Sequence, residues 1–280
     1  MTPRPIFKSE QGRQAIVDTY DSILTQWPLP YEGLTLSTPY GSTFAIACGP
    51  ESAPPLILLH GSSSNSAMWI GDVNVYCRSH RVYAVDVLGE PGKSEAVRLS
   101  LEGPDFAEWM KAIYAELHLE QAALLGISLG AWIALKFATT YPSRVEKLVL
   151  LCPSGIDPQK ASFMLRAIPC MLLGRWGRDR ILRLVNGNQE VPIEAVEYSR
   201  LIADSFNPIM ETMPIFSDED LCRLTMPVLL IAGGQDVLLD SRKTVERMQA
   251  LLPGANLRFL PDAGHVLINL AGQIEPFLQA

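Results

Sequence analysis

The sequence predicts an α/β protein, a mostly parallel, doubly wound sheet interrupted by a helical insertion. Three observations carry this. Five short apolar runs are continuous rather than alternating, which is how strands buried on both faces read. Helical periodicity separates two of them, as the crossovers of a parallel sheet require. Finally, β-like text stops after residue 152 and resumes near residue 228. The chain has 280 residues, 48% of them hydrophobic. That is long enough to bury roughly 73% of the surface its unfolded form exposes, so a core without staples is expected. Length favours one large domain, or one domain carrying an insertion.

In chain order, 34–37 and 43–48 flank a Pro39-Tyr40-Gly41 turn signal and read as an antiparallel hairpin at the sheet edge. The continuous strands follow at 56–60 (LILLH), 81–87 (RVYAVDV), 122–127 (AALLGI), 145–152 (VEKLVLLC) and 228–232 (VLLIA). Between the second and third of these, residues 105–119 place Phe106, Trp109, Met110, Ile113, Tyr114 and Leu117 on one helical face, with Asp105 and Glu108 as a capping pair. Residues 131–141 and 241–251 read as further helices, and 256–260 as a last strand. From about 156 to 217 the text is helical and punctuated by Pro169, Gly174, Gly187, Pro192, Pro208 and Pro214. The expected division is therefore a core of 1–155 plus 220–280 and a helical cap of 156–219.

Composition excludes several functions. A net charge of −7 disfavours a phosphate-binding surface, so nucleic acid is not an expected partner. Five scattered cysteines without a C-x-x-C pair argue against a disulfide framework or a thiolate metal site. No H-E-x-x-H or clustered His/Cys set suggests a catalytic metal. The first twenty residues are polar, and no apolar run approaches the ~18 residues of a membrane span, so a soluble, cytoplasmic protein is expected. Gly89-Glu-Pro-Gly92-Lys93-Ser94 resembles a phosphate loop but has Val87 where that motif needs glycine.

The chemistry concentrates in a few places. Gly126-Ile127-Ser128-Leu129-Gly130 lies where a strand ends and a helix begins, the context in which G-x-S-x-G marks a nucleophile on a strained turn. A serine hydroxyl needs a base, and the base an orienting carboxylate. Of four histidines (His60, His80, His118, His265), only His265 follows Ser128, in a glycine-containing loop after the last strand. Asp236 ends the turn after the preceding strand and is the expected acid. Its neighbour Asp240 reads instead as the cap of the next helix. Backbone amides of Leu129 and Ser62 are the expected oxyanion donors. Ser62 lies in the His60-Gly61-Ser62-Ser63-Ser64 loop, whose histidine reads as structural.

These elements resemble the α/β-hydrolase superfamily, and within it small carboxylesterase-like members. The resemblance rests on the His60-Gly61 loop with Met68-Trp69, the Asp86-Val87-Leu88-Gly89 turn leading to Gly92-Lys93-Ser94, the Ser128 elbow, the Asp236 turn and Ala263-Gly264-His265. Ile127 stands where many relatives carry His, Ala131 where many carry a second Gly, and the HGGG of hormone-sensitive-lipase-type members is absent. Serine at the elbow sets the chain apart from dehalogenases, whose nucleophile is Asp.

The resemblance and the motifs together imply hydrolysis of a carboxylic ester through an acyl-enzyme, with Ser128, His265 and Asp236 as the triad and no cofactor. The alternatives are other triad chemistry (lactone, amide or carbon–carbon cleavage, or acyl transfer) and a ligand-binding receptor with a vestigial triad. The insertion is rich in apolar residues, including Met164, Met171, Met210 and Met213. Trp69, Met164, Met210 and Met213 are the candidate lining of a pocket for a small ester with an apolar moiety. The basic run Arg175, Arg178, Arg180 and Arg183 reads as a solvated helix face. A monomer or a homodimer is expected.

Overall fold

The inner strands of the central sheet send alternate side chains into two different cores, and this alternation organises the molecule. The structure is a computed structural model describing residues 4–160, 163, 170, 173–187 and 191–280. Its strands are β1 (Tyr31–Thr38), β2 (Gly41–Cys48), β3 (Pro55–Leu59), β4 (Arg81–Val85), β5 (Ala122–Ile127), β6 (Val145–Leu151), β7 (Val228–Gly233) and β8 (Asn256–Leu260). They form one sheet in the order β1-β2-β4-β3-β5-β6-β7-β8. β1, β2 and β4 pair antiparallel, and every pairing from β4 through β3 to β8 is parallel. This is an α/β-hydrolase fold.

Ile57, Leu59, Leu124, Leu148, Leu150 and Leu230 point to one face of the sheet. There they meet the buried sides of α3 (Asp105–Glu116) and α4 (Leu129–Thr140). Leu56, Leu58, Leu125, Val149, Leu151 and Ile231 point to the other face, toward α1 (Glu10–Leu24) and the short α2 (Val73–Tyr76). Consecutive residues along one strand thus fill separate cores, which is why these runs are continuously apolar.

The insertion carries α5 (Gly174–Asn186) and α6 (Ile193–Ser205), and the short α7 (Asp218–Leu221) precedes β7. Beyond β7 come α8 (Ser241–Leu251) and α9 (Ala271–Gln279). Helix α1 packs on α6, and Phe7 forms an isolated antiparallel bridge with Phe206, closing the N-terminal segment onto the end of the insertion. No helix among the described residues is long and apolar enough to cross a membrane. All five cysteines are free, four of them buried and Cys222 exposed.

The expected elements recur with shifted ends. β1 and β2 are longer than the apolar text suggests because ladder bonding continues to the Thr38–Gly41 pair. β4 stops at Val85, because Asp86 is recruited as a buried acceptor. The capping pair at 105 and 108 does not form: Pro104 occupies the N-cap without a side-chain bond, and Glu108 instead accepts from the Tyr141 hydroxyl. Helices α1, α2 and α9 were not expected from the sequence, since each presents a short apolar stripe among polar residues.

Asp86 is the polar anchor of the β4 end. Fully buried, its Oδ1 accepts from the Tyr20 hydroxyl at 3.0 Å and the Ser66 amide at 2.8 Å, and its Oδ2 from the Lys93 amide at 2.8 Å. Removing one partner of a buried bond leaves the other unsatisfied. Tyr20→Phe should therefore cost about 1–3 kcal/mol in denaturant unfolding. Asp86→Ala, which strands three donors, should cost at least twice what Tyr20→Phe does in the same titration.

Candidate active site

A strand that ends where a helix begins must turn sharply, and at Ser128 the turn is forced by two close backbone approaches. A side chain at Gly130 would put its Cβ 2.1 Å from the Leu59 carbonyl oxygen, and one at Gly126 would lie 2.4 Å from Gly130. Only hydrogen at both positions lets α4 begin directly against the ends of β3 and β5. Between them Ser128 adopts φ 54° and ψ −111°, a strained conformation for a non-glycine residue. Its amide donates to the Leu151 carbonyl at 2.9 Å and its carbonyl accepts from Trp132, so the turn is held from both sides. The half-buried hydroxyl remains available for chemistry.

His265 reaches Ser128 from the loop after β8. Its Nε2 lies 2.9 Å from Ser128 Oγ and its Nδ1 2.7 Å from Asp236 Oδ2. With Nδ1–H donating to the carboxylate, Nε2 carries the lone pair that faces the serine. Asp236 is 2% exposed. Burial alone would raise its pKa, but the hydrogen bond and charge of His265 and the Leu239 and Leu238 amides outweigh it and hold the pKa below the ordinary value. Those amides donate to Oδ1 at 3.0 and 2.7 Å, fixing the carboxylate plane. Asp240 instead caps α8, accepting from the Lys243 amide.

The His265 loop is braced by its neighbours. Gly233 packs so closely that a Cβ there would lie 2.1 Å from the Gly264 oxygen. The His265 amide donates to Val185 at the end of α5, and Gly264 abuts Asn186 and Gly187 of the insertion. Lys160 Nζ donates to the Asp236 carbonyl at 2.7 Å. In the loop after β3, Asn65 Nδ2 lies 2.6 Å from the hydroxyl of Tyr198 on α6. The insertion is therefore bonded both to the His265 loop and to the loop that follows β3.

The loop after β3 passes the elbow one residue before Ser62: a Cβ at Gly61 would lie 3.6 Å from Ser128 Cβ. Among the described residues neither the Ser62 nor the Leu129 amide has an acceptor, so both are available to an oxygen anion. His60 is fully buried: the Val87 amide donates to Nε2 at 2.9 Å, leaving Nδ1–H for the Gly61 carbonyl at 2.8 Å. Burial depresses its pKa despite the Asp86 charge, so it is neutral and structural.

The expected pocket lining divides. Trp69 is buried, its indole Nε1 without a partner, and Met213 is buried in the core beside α4. Met210 is 58% exposed, and Met164 lies outside the described residues. Leu173, Trp176, Ile193, Met210 and Ile215 are exposed large apolar side chains of the insertion and the segment that follows α6. Arg180 and Arg183 lie exposed or partly exposed on α5, Arg180 over the Trp176 ring.

Two buried groups near the site were not anticipated. Cys152, at φ 41° after β6, lies with Asp236 and His265 close enough for the three to share a metal ion. Burial and the Asp236 charge push its thiol pKa far up, so it is protonated, while the histidine and carboxylate are already bonded to each other. The other is Glu90, 1% exposed, which accepts from the Ser63 amide. The only sequence signal for it was an acidic residue inside the glycine-rich 89–94 loop.

Comparison with known proteins follows this geometry. A model of the alpha/beta hydrolase family matches residues 56–275. Carboxylesterase YbfK of Bacillus subtilis (strain 168) is 33% identical over 274 residues, covering 93% of this chain and 90% of that protein. The crystal structure of carboxylesterase CesB (YbfK) from Bacillus subtilis superposes with a TM-score of 0.84 at 30% identity, covering 96% of this chain and 97% of the other. That of naproxen esterase (carboxylesterase NP) from Bacillus subtilis gives 0.85 at 27% identity, covering 97% and 98%.

Burial raises the Glu90 pKa from 4.5 to about 8, against the lowering effects of the Ser63 amide, Arg98 and the Ser62 hydroxyl. The unfolded chain thus releases this proton near 4.5 while the folded chain keeps it to about 8. Between those values the folded state binds more protons, so stability falls as pH rises. Glu90→Gln removes this titration. Across the same window, wild type should lose melting temperature relative to Glu90→Gln, and parallel curves would refute the assignment.

Proposed function

The chain belongs to the α/β-hydrolase family, and from that premise we propose that it is a carboxylesterase working through an acyl-enzyme on Ser128. The observation that carries this is the continuous hydrogen-bonded chain from Ser128 Oγ through His265 to Asp236. Ser128 Oγ attacks the ester carbonyl as its proton passes to His265 Nε2. Asp236 holds the resulting imidazolium through Nδ1–H. The carbonyl oxygen, now an anion, accepts from the Ser62 and Leu129 amides. Collapse returns the proton to the departing alcohol oxygen. A water then attacks the acyl-enzyme with the same histidine as base, releasing the acid and restoring the serine.

In this reading residues 1–155 and 220–280 form the catalytic core and 156–219 a cap. Support comes from the insertion's contacts with the His265 loop and with Asn65. Exposed apolar side chains on that segment favour a small ester with an apolar moiety. The names of the relatives, carboxylesterases and a naproxen esterase, agree with this substrate class.

The test is intact-mass analysis and peptide mapping after incubation with a fluorophosphonate, alongside turnover of an activated ester. One adduct on Ser128 is expected in wild type and none in Ser128→Ala. That variant should remain folded while kcat falls by roughly 10⁴-fold or more. Near-wild-type turnover by Ser128→Ala, or an adduct that persists in it, would overturn the assignment.

A further inference from the structure

We infer that Glu90 is a positioning residue for the oxyanion loop, its buried carboxyl holding the Ser62–Ser63 peptide where the Ser62 amide faces the reacting carbonyl. The inference rests on the oxyanion role proposed for Ser62 and Leu129. Glu90 Oε2 accepts from the Ser63 amide at 2.6 Å and lies 3.5 Å from the Ser62 hydroxyl. Ser63 has φ 56°, a left-handed conformation that L-residues adopt at a cost, so something must stabilise it. The acceptor beneath its N–H does so.

The carboxyl is itself fixed. The Glu90 amide donates to Val87, its carbonyl accepts from Gly92, and the adjoining Pro91 carbonyl accepts from Asn65. The 86–93 turn is tied to the 60–66 loop by bonds of His60 to Val87, Ser62 and Ser63 to Glu90, Asn65 to Pro91 and Ser66 to Asp86. Of these, the Glu90 tie is made beside the oxyanion donor itself. Ser62 and Ser63 are exposed at the surface of the loop, so packing does little to hold them. Glu90 Oε1 is buried with no partner among the described residues. Such a group persists at a cost, which a role in shaping the loop explains.

Misplacement of a group that acts only on the transition state lowers kcat and spares ground-state binding. Three variants separate the acceptor from the charge and the volume. Glu90→Gln keeps an acceptor oxygen, Glu90→Asp withdraws it by one methylene, and Glu90→Leu removes it while preserving bulk. For an activated ester, Glu90→Leu should lower kcat by about 10- to 100-fold with KM within about threefold. Glu90→Asp should lower it about 3- to 10-fold, and Glu90→Gln should stay within about threefold of wild type. The Ki of a trifluoromethyl ketone, whose adduct places an oxyanion in the same hole, should weaken in step with kcat. If Glu90→Leu fails to fold, Glu90→Asp and Glu90→Gln decide the matter. Wild-type kcat in Glu90→Asp, or loss in Glu90→Gln equal to that in Glu90→Asp, would overturn the inference. An inactive wild type, or turnover surviving Ser128→Ala, would instead overturn the esterase reading itself.

Discussion

The contact between the start of α4 and the ends of β3 and β5 is the constraint on which the site depends. Gly126 and Gly130 permit backbone approaches that any side chain would block, and Ser128 is held between them in a conformation it would not choose alone. The same approach aligns the Leu129 amide at the first turn of α4, where helix amides have no intrahelical acceptor. The proposed nucleophile and one proposed oxyanion donor are therefore placed by a single packing event. The second proposed donor is not: Ser62 belongs to a loop after β3, and its placement must be secured separately.

That security comes from buried polar groups between the β3 and β4 ends. Asp86 gathers Tyr20 from α1, Ser66 from the 60s loop and Lys93 from its own turn. His60 takes the Val87 amide and returns its other ring N–H to Gly61. Each of these groups is costly to bury unpaired, and together they lock two loops that hydrophobic packing alone would leave to slide. The apolar cores on the two sheet faces supply the stability that tolerates the strain at Ser128 and the unpaired oxygen of Glu90.

Much of this was legible in the sequence because the parallel strands are continuously apolar and the glycines mark close approaches. The strands read at 56–60, 122–127, 145–152 and 228–232 fall on β3, β5, β6 and β7, and those signals also put Asp236 in the loop after β7 and His265 in the loop after β8. Helices α1, α2 and α9 did not, since their short apolar stripes carry little periodic signal against polar surroundings. Glu90 was hidden for a different reason. A carboxylate in a glycine-rich loop looks solvated, and only the three-dimensional meeting of the 60s and 90s loops makes it a buried acceptor. The same holds for Cys152, whose neighbours lie 84 and 113 residues further along the chain.

The insertion does more than cover the sheet. His265 sits on a loop whose amide is bonded to Val185 and whose Gly264 lies against Asn186 and Gly187 at the end of α5. Asn65, four residues beyond Gly61, bonds to Tyr198 on α6, which also packs on α1. The segment is thus tied to the loop bearing the proposed base and to the loop bearing a proposed oxyanion donor. On the proposed mechanism, a change in its length or packing reaches both loops, and through them kcat as well as substrate binding. Variation in an insertion is usually taken to tune substrate choice alone. On the proposed mechanism it bears on kcat too, because the end of α5 and the middle of α6 are bonded to the loops that carry the proposed base and the proposed donor.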